Sequence, residues 1–243
     1  MKYVNALVML MFTVIANSTH ADGSNKPIIV IELFTSQGCY ACPAADKLLS
    51  KLANQEDILA FGLHVDYWDY LGWKDTFAIS KFSERQAKYN MHITNRARRV
   101  TPQMIFNGVA EVAGGVGEAE LLINENLNSM RKNKELVSIE VKRNKEIVNL
   151  MLVSSQKNLG FLDINLIRYF PRKTVQIKYG ENTGKTIEYI NIVKSLETVA
   201  RWDSGKLGEI EFELPTDGQY AVIIQGKNYG PIYIARKIPK FLN

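Results

Sequence analysis

The chain has 243 residues, 46% of them hydrophobic, and its 30 Lys plus Arg exceed 25 Asp plus Glu to give a formal charge of +5. That apolar content can bury one large core or two small ones and excludes a disordered chain. The basic excess is mild and forms no long tract, so nucleic acid is not expected as a partner, because phosphate binding concentrates basic residues on one face; the cluster Arg96, Arg98 and Arg99 reads equally well as a solvated loop.

Residues 1–21 read as a secretory signal. Lys2 supplies the positive start, Ala6 to Ala16 is mostly apolar, and Thr19-His20-Ala21 is a small-x-small cleavage site. The apolar run falls short of the roughly 20 residues that span a bilayer. No stable membrane anchor is expected after cleavage, and the expected location is periplasmic or secreted. From Ile28 to Phe34 a near-continuous apolar run with one charge, Glu32, marks a strand buried on both faces. Apolar residues then recur from Ala41 through Ala44, Ala45, Leu48, Leu49 and Leu52 at helical spacing, so a helix starts at Cys39-Tyr40-Ala41-Cys42. A second buried strand, Ile58 to Val65, leads into Asp66-Tyr67-Trp68-Asp69-Tyr70-Leu71-Gly72-Trp73, and a helix is predicted over about 78–89. Thr101-Pro102-Gln103 precedes a short strand at 104–106, Asn107-Gly108 makes a hairpin turn, and a helix follows at 119–130.

From Val137 the pattern changes to short alternating segments around 137–141, 162–166, 210–214, 220–224 and 232–234. Turn signals separate them at Asn182-Thr183-Gly184, Asp203-Ser204-Gly205 and Asp217-Gly218. This argues for an antiparallel sandwich or barrel. The expected organisation is therefore a signal over 1–21, an α/β domain over 22–135 and a β-rich domain over 136–243.

Cys39 and Cys42 are the two cysteines of the chain. A disulfide stabilises chiefly by closing a long loop, so a bridge across a two-residue gap does little for folding and its value must be chemical. A strand, then C-x-x-C at a helix start, then strand, helix, a Pro-led strand, a hairpin and a final helix is the element order of the thioredoxin fold. The N-terminal half resembles a thioredoxin-like domain, with Cys39 and Cys42 at the redox pair and Pro102 at the cis-proline that faces it. The blocks Glu32 to Cys39, His64 to Trp73 and Thr101 to Met104 also resemble a family of exported bacterial proteins, domain of unknown function 1223. That resemblance continues through Gly180-Glu181-Asn182 and Ala200-Arg201-Trp202-Asp203, and implies a thioredoxin-like domain followed by a β-rich one.

A thiolate at a helix N-terminus is stabilised by unpaired N–H groups and the helix dipole. Cys39, as the more exposed cysteine, is expected to be the nucleophile, and Cys42, one turn in, to resolve the mixed disulfide with a protein or peptide substrate. An unidentified redox partner must then restore the pair. No cofactor or metal is expected, since one C-x-x-C with His64 and His92 makes a poor zinc site. The alternatives are a partner-binding protein with an incidental or regulatory disulfide, and copper transfer through two soft thiolates. By analogy Thr101 offers its backbone to substrate beside Pro102. Tyr67, Trp68 and Trp73 form either a substrate-groove wall, with Asp66 or Asp69 orienting a polar group, or an aromatic plug over the sheet edge. Glu32 stands seven positions before Cys39, one more than in thioredoxins, so it reads as a proton relay or as a structural ion pair with an arginine on the other face. His64 reads as a buried core residue.

Overall fold

The computed structural model describes residues 28–114 and 117–241. The expected signal over 1–21 lies outside them. The first half runs β1 (Ile29–Thr35), α1 (Cys42–Leu52), β2 (Ile58–His64), α2 (Ser80–Thr94), β3 (Gln103–Phe106), β4 (Ala110–Ala113) and α3 (Glu118–Met130). β1 pairs parallel to β2 and antiparallel to β3, which pairs with β4. This central placement is why β1 is apolar at nearly every position and wholly buried.

The period of two along β1 and β2 assigns each residue a face. Ile29, Ile31, Leu33, Ile58 and Ala60 pack with Ala45, Leu49 and Leu52 of α1 and with Ile123 and Leu127 of α3. Val30, Phe34, Leu59, Phe61 and Leu63 pack on the other face with Phe82 and Tyr89 of α2. By that alternation Thr35 and His64 stand on the α1 face and Glu32 on the α2 face.

The second half is antiparallel: β5 (Val137–Asn144), β6 (Ile147–Ser154), β7 (Phe161–Gln176), β8 (Thr186–Asp203), β9 (Gly208–Glu213), β10 (Gln219–Gly226) and β11 (Ile232–Lys237). One eight-stranded sheet, in the order β11-β10-β7-β8-β2-β1-β3-β4, runs through both halves, and a three-stranded sheet β5-β6-β9 lies over its far part. Val148, Leu150 and Leu152 of the small sheet pack on Leu162, Ile164, Trp202, Val222 and Ile224, forming the sandwich core. The architecture is thus a thioredoxin-like mixed sheet followed by an antiparallel sandwich-like unit. The junction is β8, which meets β2 at Gly62 and Ile192 and covers an edge that would otherwise be open. Asn191, with φ of 44°, distorts the strand there without interrupting its pairing and donates its side-chain amide to Ala60 O at 2.9 Å.

β7 and β8 are much longer than the strands around them. Their pairing continues from Phe161 and Asp203 out to Gln176 and Thr186, so the hairpin projects past the sandwich. Its tip, residues 177–185, comes to rest on the start of α1.

Candidate functional site

Cys39 and Cys42 form a disulfide with Cα atoms 5.4 Å apart. Cys42 is the first residue of α1, no side chain caps the helix, and Pro43 occupies its first turn, where the missing donor costs least. The Cys42 N–H bonds to Cys39 O at 3.2 Å and the Cys39 N–H to Ser36 O at 3.2 Å, winding the 36–42 segment into successive turns. Both cysteines are buried, Cys39 at 1% and Cys42 at 0% exposure, so exposure hardly separates them, whereas Tyr40 between them is 70% exposed.

Three segments enclose this loop. The first is the one before β3, where the Thr101–Pro102 peptide is cis. The second is the aromatic segment after β2. The Trp68 indole N–H donates to Thr101 Oγ1 at 2.7 Å, and its Cβ lies against Gly38, so it bridges the proline segment to the redox loop. The Trp73 indole donates to Gln37 Oε1 at 2.8 Å on the other side. The Tyr67 hydroxyl donates to Gln86 Oε1 of α2 at 3.1 Å and also meets the Thr101 side chain. Asp66 accepts from Ser83 Oγ, and Asp69 accepts the Asp75 N–H at 3.1 Å, so both acids serve the local framework.

The third segment is the β7–β8 tip, which the sequence did not place here. Asn182, fully buried, donates through Nδ2 to Gln37 O at 2.9 Å and Cys39 O at 2.8 Å. Glu181 accepts the Tyr40 N–H at 3.0 Å, and Lys185 holds its ammonium 4.8 Å from the Tyr40 ring centroid while donating to Asn182 Oδ1. Between α1 and the hairpin stem runs a groove of about 520 Å³ lined by Pro43, Lys47, Ser50, Lys185 and Ile187.

Behind the disulfide lies a buried acid that the sequence reading passed over. Asp46 is four residues after Cys42, hence one helical turn away on the same side of α1, and helical side chains lean toward the N-terminus. It is 5% exposed and accepts from Thr35 Oγ1 at 3.2 Å. Burial raises its pKa to about 7, although nearby His64 pulls the other way. For His64 burial alone would lower the pKa, but the Asp75 carboxylate, 2.7 Å from Nδ1, raises it above the ordinary value. Asp75 also accepts the Gln37 and Phe77 N–H groups, each at 2.8 Å. Tyr189 of β8 stacks edge-on against His64 with centroids 4.9 Å apart. Its hydroxyl and His64 Nε2 have no hydrogen-bond partner among the described residues. The signal available in sequence was an acid at i+4 from Cys42 inside a helix that buries its neighbours.

Glu32 lies across the sheet, on the α2 face, where Arg85 Nε and Nη2 donate to its carboxylate at 2.8 and 3.1 Å. Of its two expected roles, the geometry is that of the ion pair, and the proton relay is corrected because the intervening sheet separates the carboxylate from α1. Among the described residues no group of three or more His, Cys, Asp and Glu is arranged to hold a metal ion, and no helix is long and apolar enough to cross a membrane.

No curated protein matches the chain. Among solved structures, protein AGR_C_4864 from Agrobacterium tumefaciens is similar at a TM-score of 0.73 and 27% identity, covering 89% of this chain and 96% of that one. HBP35 of Porphyromonas gingivalis is similar in fold alone, at a TM-score of 0.62 and 12% identity over 90% of this chain and 76% of that one. The family model described as Protein of unknown function (DUF1223) matches residues 30–225, and the chain therefore belongs to that family.

Proposed function

We propose that this protein is an exported thiol-disulfide oxidoreductase acting on protein or peptide thiols. The observation that carries the reading is the Cys39–Cys42 disulfide at the N-terminus of α1, joined through Trp68 to the cis Thr101–Pro102 segment. In the oxidising direction a substrate thiolate attacks Cys39 Sγ, forming a mixed disulfide and expelling Cys42 as a thiolate. A second substrate thiolate then attacks the substrate sulfur of that mixed disulfide and releases Cys39 as a thiolate. The substrate leaves as a disulfide, and the pair holds two more electrons as thiols. Run backwards, the same steps reduce a substrate disulfide, with Cys39 attacking and Cys42 resolving. A second dithiol or disulfide protein returns the pair to its starting state.

The Cys42 proton needs a local carrier, because Cys42 is buried. Asp46 fills that role. With a pKa of about 7 it is close to evenly divided between carboxyl and carboxylate near neutral pH, the condition under which it gives or takes a proton most readily. Trp68, Thr101 and Pro102 line one side of the route to Cys39, and Trp73 lines the other by way of Gln37. Tyr67, whose hydroxyl meets both Gln86 and Thr101, belongs to the same wall as Trp68 and Thr101.

Trapping tests the reading. A Cys42→Ser protein, expressed with its signal and isolated after acid quench, is expected to carry partners as mixed disulfides through Cys39, released by dithiothreitol. A Cys39→Ser, Cys42→Ser protein carries none. If Cys42→Ser also comes out free of partners under oxidising and reducing growth, the oxidoreductase reading fails.

A further inference from the structure

Resting on that reading, we propose that the tip of the β7–β8 hairpin is an internal stand-in for substrate: it occupies the backbone hydrogen-bonding positions of the redox loop, and an extended peptide segment opens the site by taking its place. The tip offers what a peptide offers. Asn182 presents an amide N–H pair to the carbonyls of Gln37 and Cys39, and the neighbouring Glu181 presents an oxygen to the Tyr40 N–H. With the tip away, these three loop atoms would be free to bond an incoming chain.

The closed position accounts for a disulfide that is nearly inaccessible although it sits at a helix start beside an exposed tyrosine. Beyond these polar contacts the tip is seated by Ile177, which packs with Ile187 and Tyr189 against Trp73 and Phe77, and by Tyr179, whose ring centroid lies 6.3 Å from that of Trp73. Gly180 and Gly184, both with φ near +80°, let the tip turn sharply enough to present Asn182 inward while Thr183 stays in solvent. Exchange of one set of hydrogen bonds for an equivalent set costs a peptide little, whereas a small thiol must reach Cys39 with nothing to replace them. The site is therefore selective for thiols carried on extended chain and resists bulk small thiols.

The test compares the rate at which dithiothreitol and an unstructured peptide dithiol reduce the oxidised protein. Asn182→Ala removes two of the three bonds, each shifting the closed-open balance by roughly fivefold, so reduction by dithiothreitol is expected to accelerate about 25-fold. Peptide reduction should accelerate much less, so the wild-type preference for peptide shrinks in the variant. Glu181→Gln, at an exposed position, keeps the fold and weakens the charge-assisted bond to Tyr40; an acceleration of about threefold is expected for dithiothreitol. Equal dithiothreitol rates in wild type and both variants overturn the gate, and equal acceleration of both reductants overturns its selectivity for peptide. These outcomes are independent of trapping: a fast Asn182→Ala protein whose Cys42→Ser counterpart captures nothing would keep the gate and sink the oxidoreductase reading.

Discussion

The central sheet carries a buried charge cluster on each face, and the two are built on opposite terms. On the α2 face Glu32 receives Arg85 at both oxygens, Tyr89 donates to Glu32, and Gln225 of β10 accepts from Arg85 and donates to Tyr89 at 2.9 Å. On the α1 face Asp46 has one hydroxyl donor, His64 is bonded through one nitrogen, and the Tyr189 hydroxyl is unpaired among the described residues. A buried polar network that is fully satisfied fixes one arrangement, whereas unsatisfied groups carry a standing cost. The first cluster holds the two halves of the chain together. The second gives up stability beside the first turns of α1, where the proposed chemistry calls for a proton to move.

The comparison breaks most visibly at Arg85. Arg85→Met leaves the Glu32 carboxylate buried without its cation and is expected to destabilise the protein by about 3–5 kcal/mol in urea unfolding, or to prevent folding. Asp46→Asn should do the reverse. Folded Asp46 keeps its proton up to about pH 7, while the unfolded chain releases it near 3.8. Between those values the folded state binds more protons, so stability falls as pH rises. His64 adds the same sign: its raised pKa stabilises fully below its unfolded value, and that support is lost as pH climbs through the folded one. Asp46→Asn removes the Asp46 penalty and is expected to stabilise by about 4 kcal/mol at pH 8, with the gain vanishing below about pH 4. The same variant should slow deprotonation of the Cys42 thiol, measured in the reduced protein by the absorbance of its thiolate. A gain that persists unchanged at low pH would show that Asp46 is not a titrating group near neutrality.

The thioredoxin-like half was readable because its signals are local. Apolar runs mark β1 and β2, helical spacing marks α1, and Asn107-Gly108 marks the β3–β4 turn, with φ of 45° and 69° at the two positions. The second half was readable as β, but β6 and β8 were not singled out as strands. β8 hides because its buried residues, Tyr189, Ile190, Ile192 and Val193, lose alternation around Asn191, where φ is positive, and its pairing with β7 shifts register twice. The turns at 182–184 and 203–205 bounded it all the same. Site residues divide the same way. Cys39, Cys42 and the cis-proline segment declare themselves by motif, whereas Asn182 stands 143 residues from Cys39 and its role exists only once the hairpin has folded across. Glu32 drew attention as a charge in an apolar strand, but a strand's period of two decides its face, and that face belongs to α2.

The finest contrast lies between two tyrosines, one in each cluster and both buried. Tyr89 makes three hydrogen bonds through its hydroxyl, from Arg85 and Gln225 and to Glu32. Removing that oxygen leaves charged groups short of a partner, so Tyr89→Phe is expected to cost about 2 kcal/mol. Tyr189 makes none among the described residues, and burial pushes its pKa up, so its hydroxyl is desolvated without return. Tyr189→Phe keeps the edge-on packing on His64 and should be neutral or stabilise by up to about 1 kcal/mol in the same unfolding experiment. Its effect on reduction kinetics is the sharper reading. If the Tyr189 hydroxyl takes part in moving the Cys42 proton, the pH dependence of the thiolate shifts while stability does not fall. If the hydroxyl is only an imperfectly buried group, the profile matches that of the wild-type protein and Asp46 carries the proton without it.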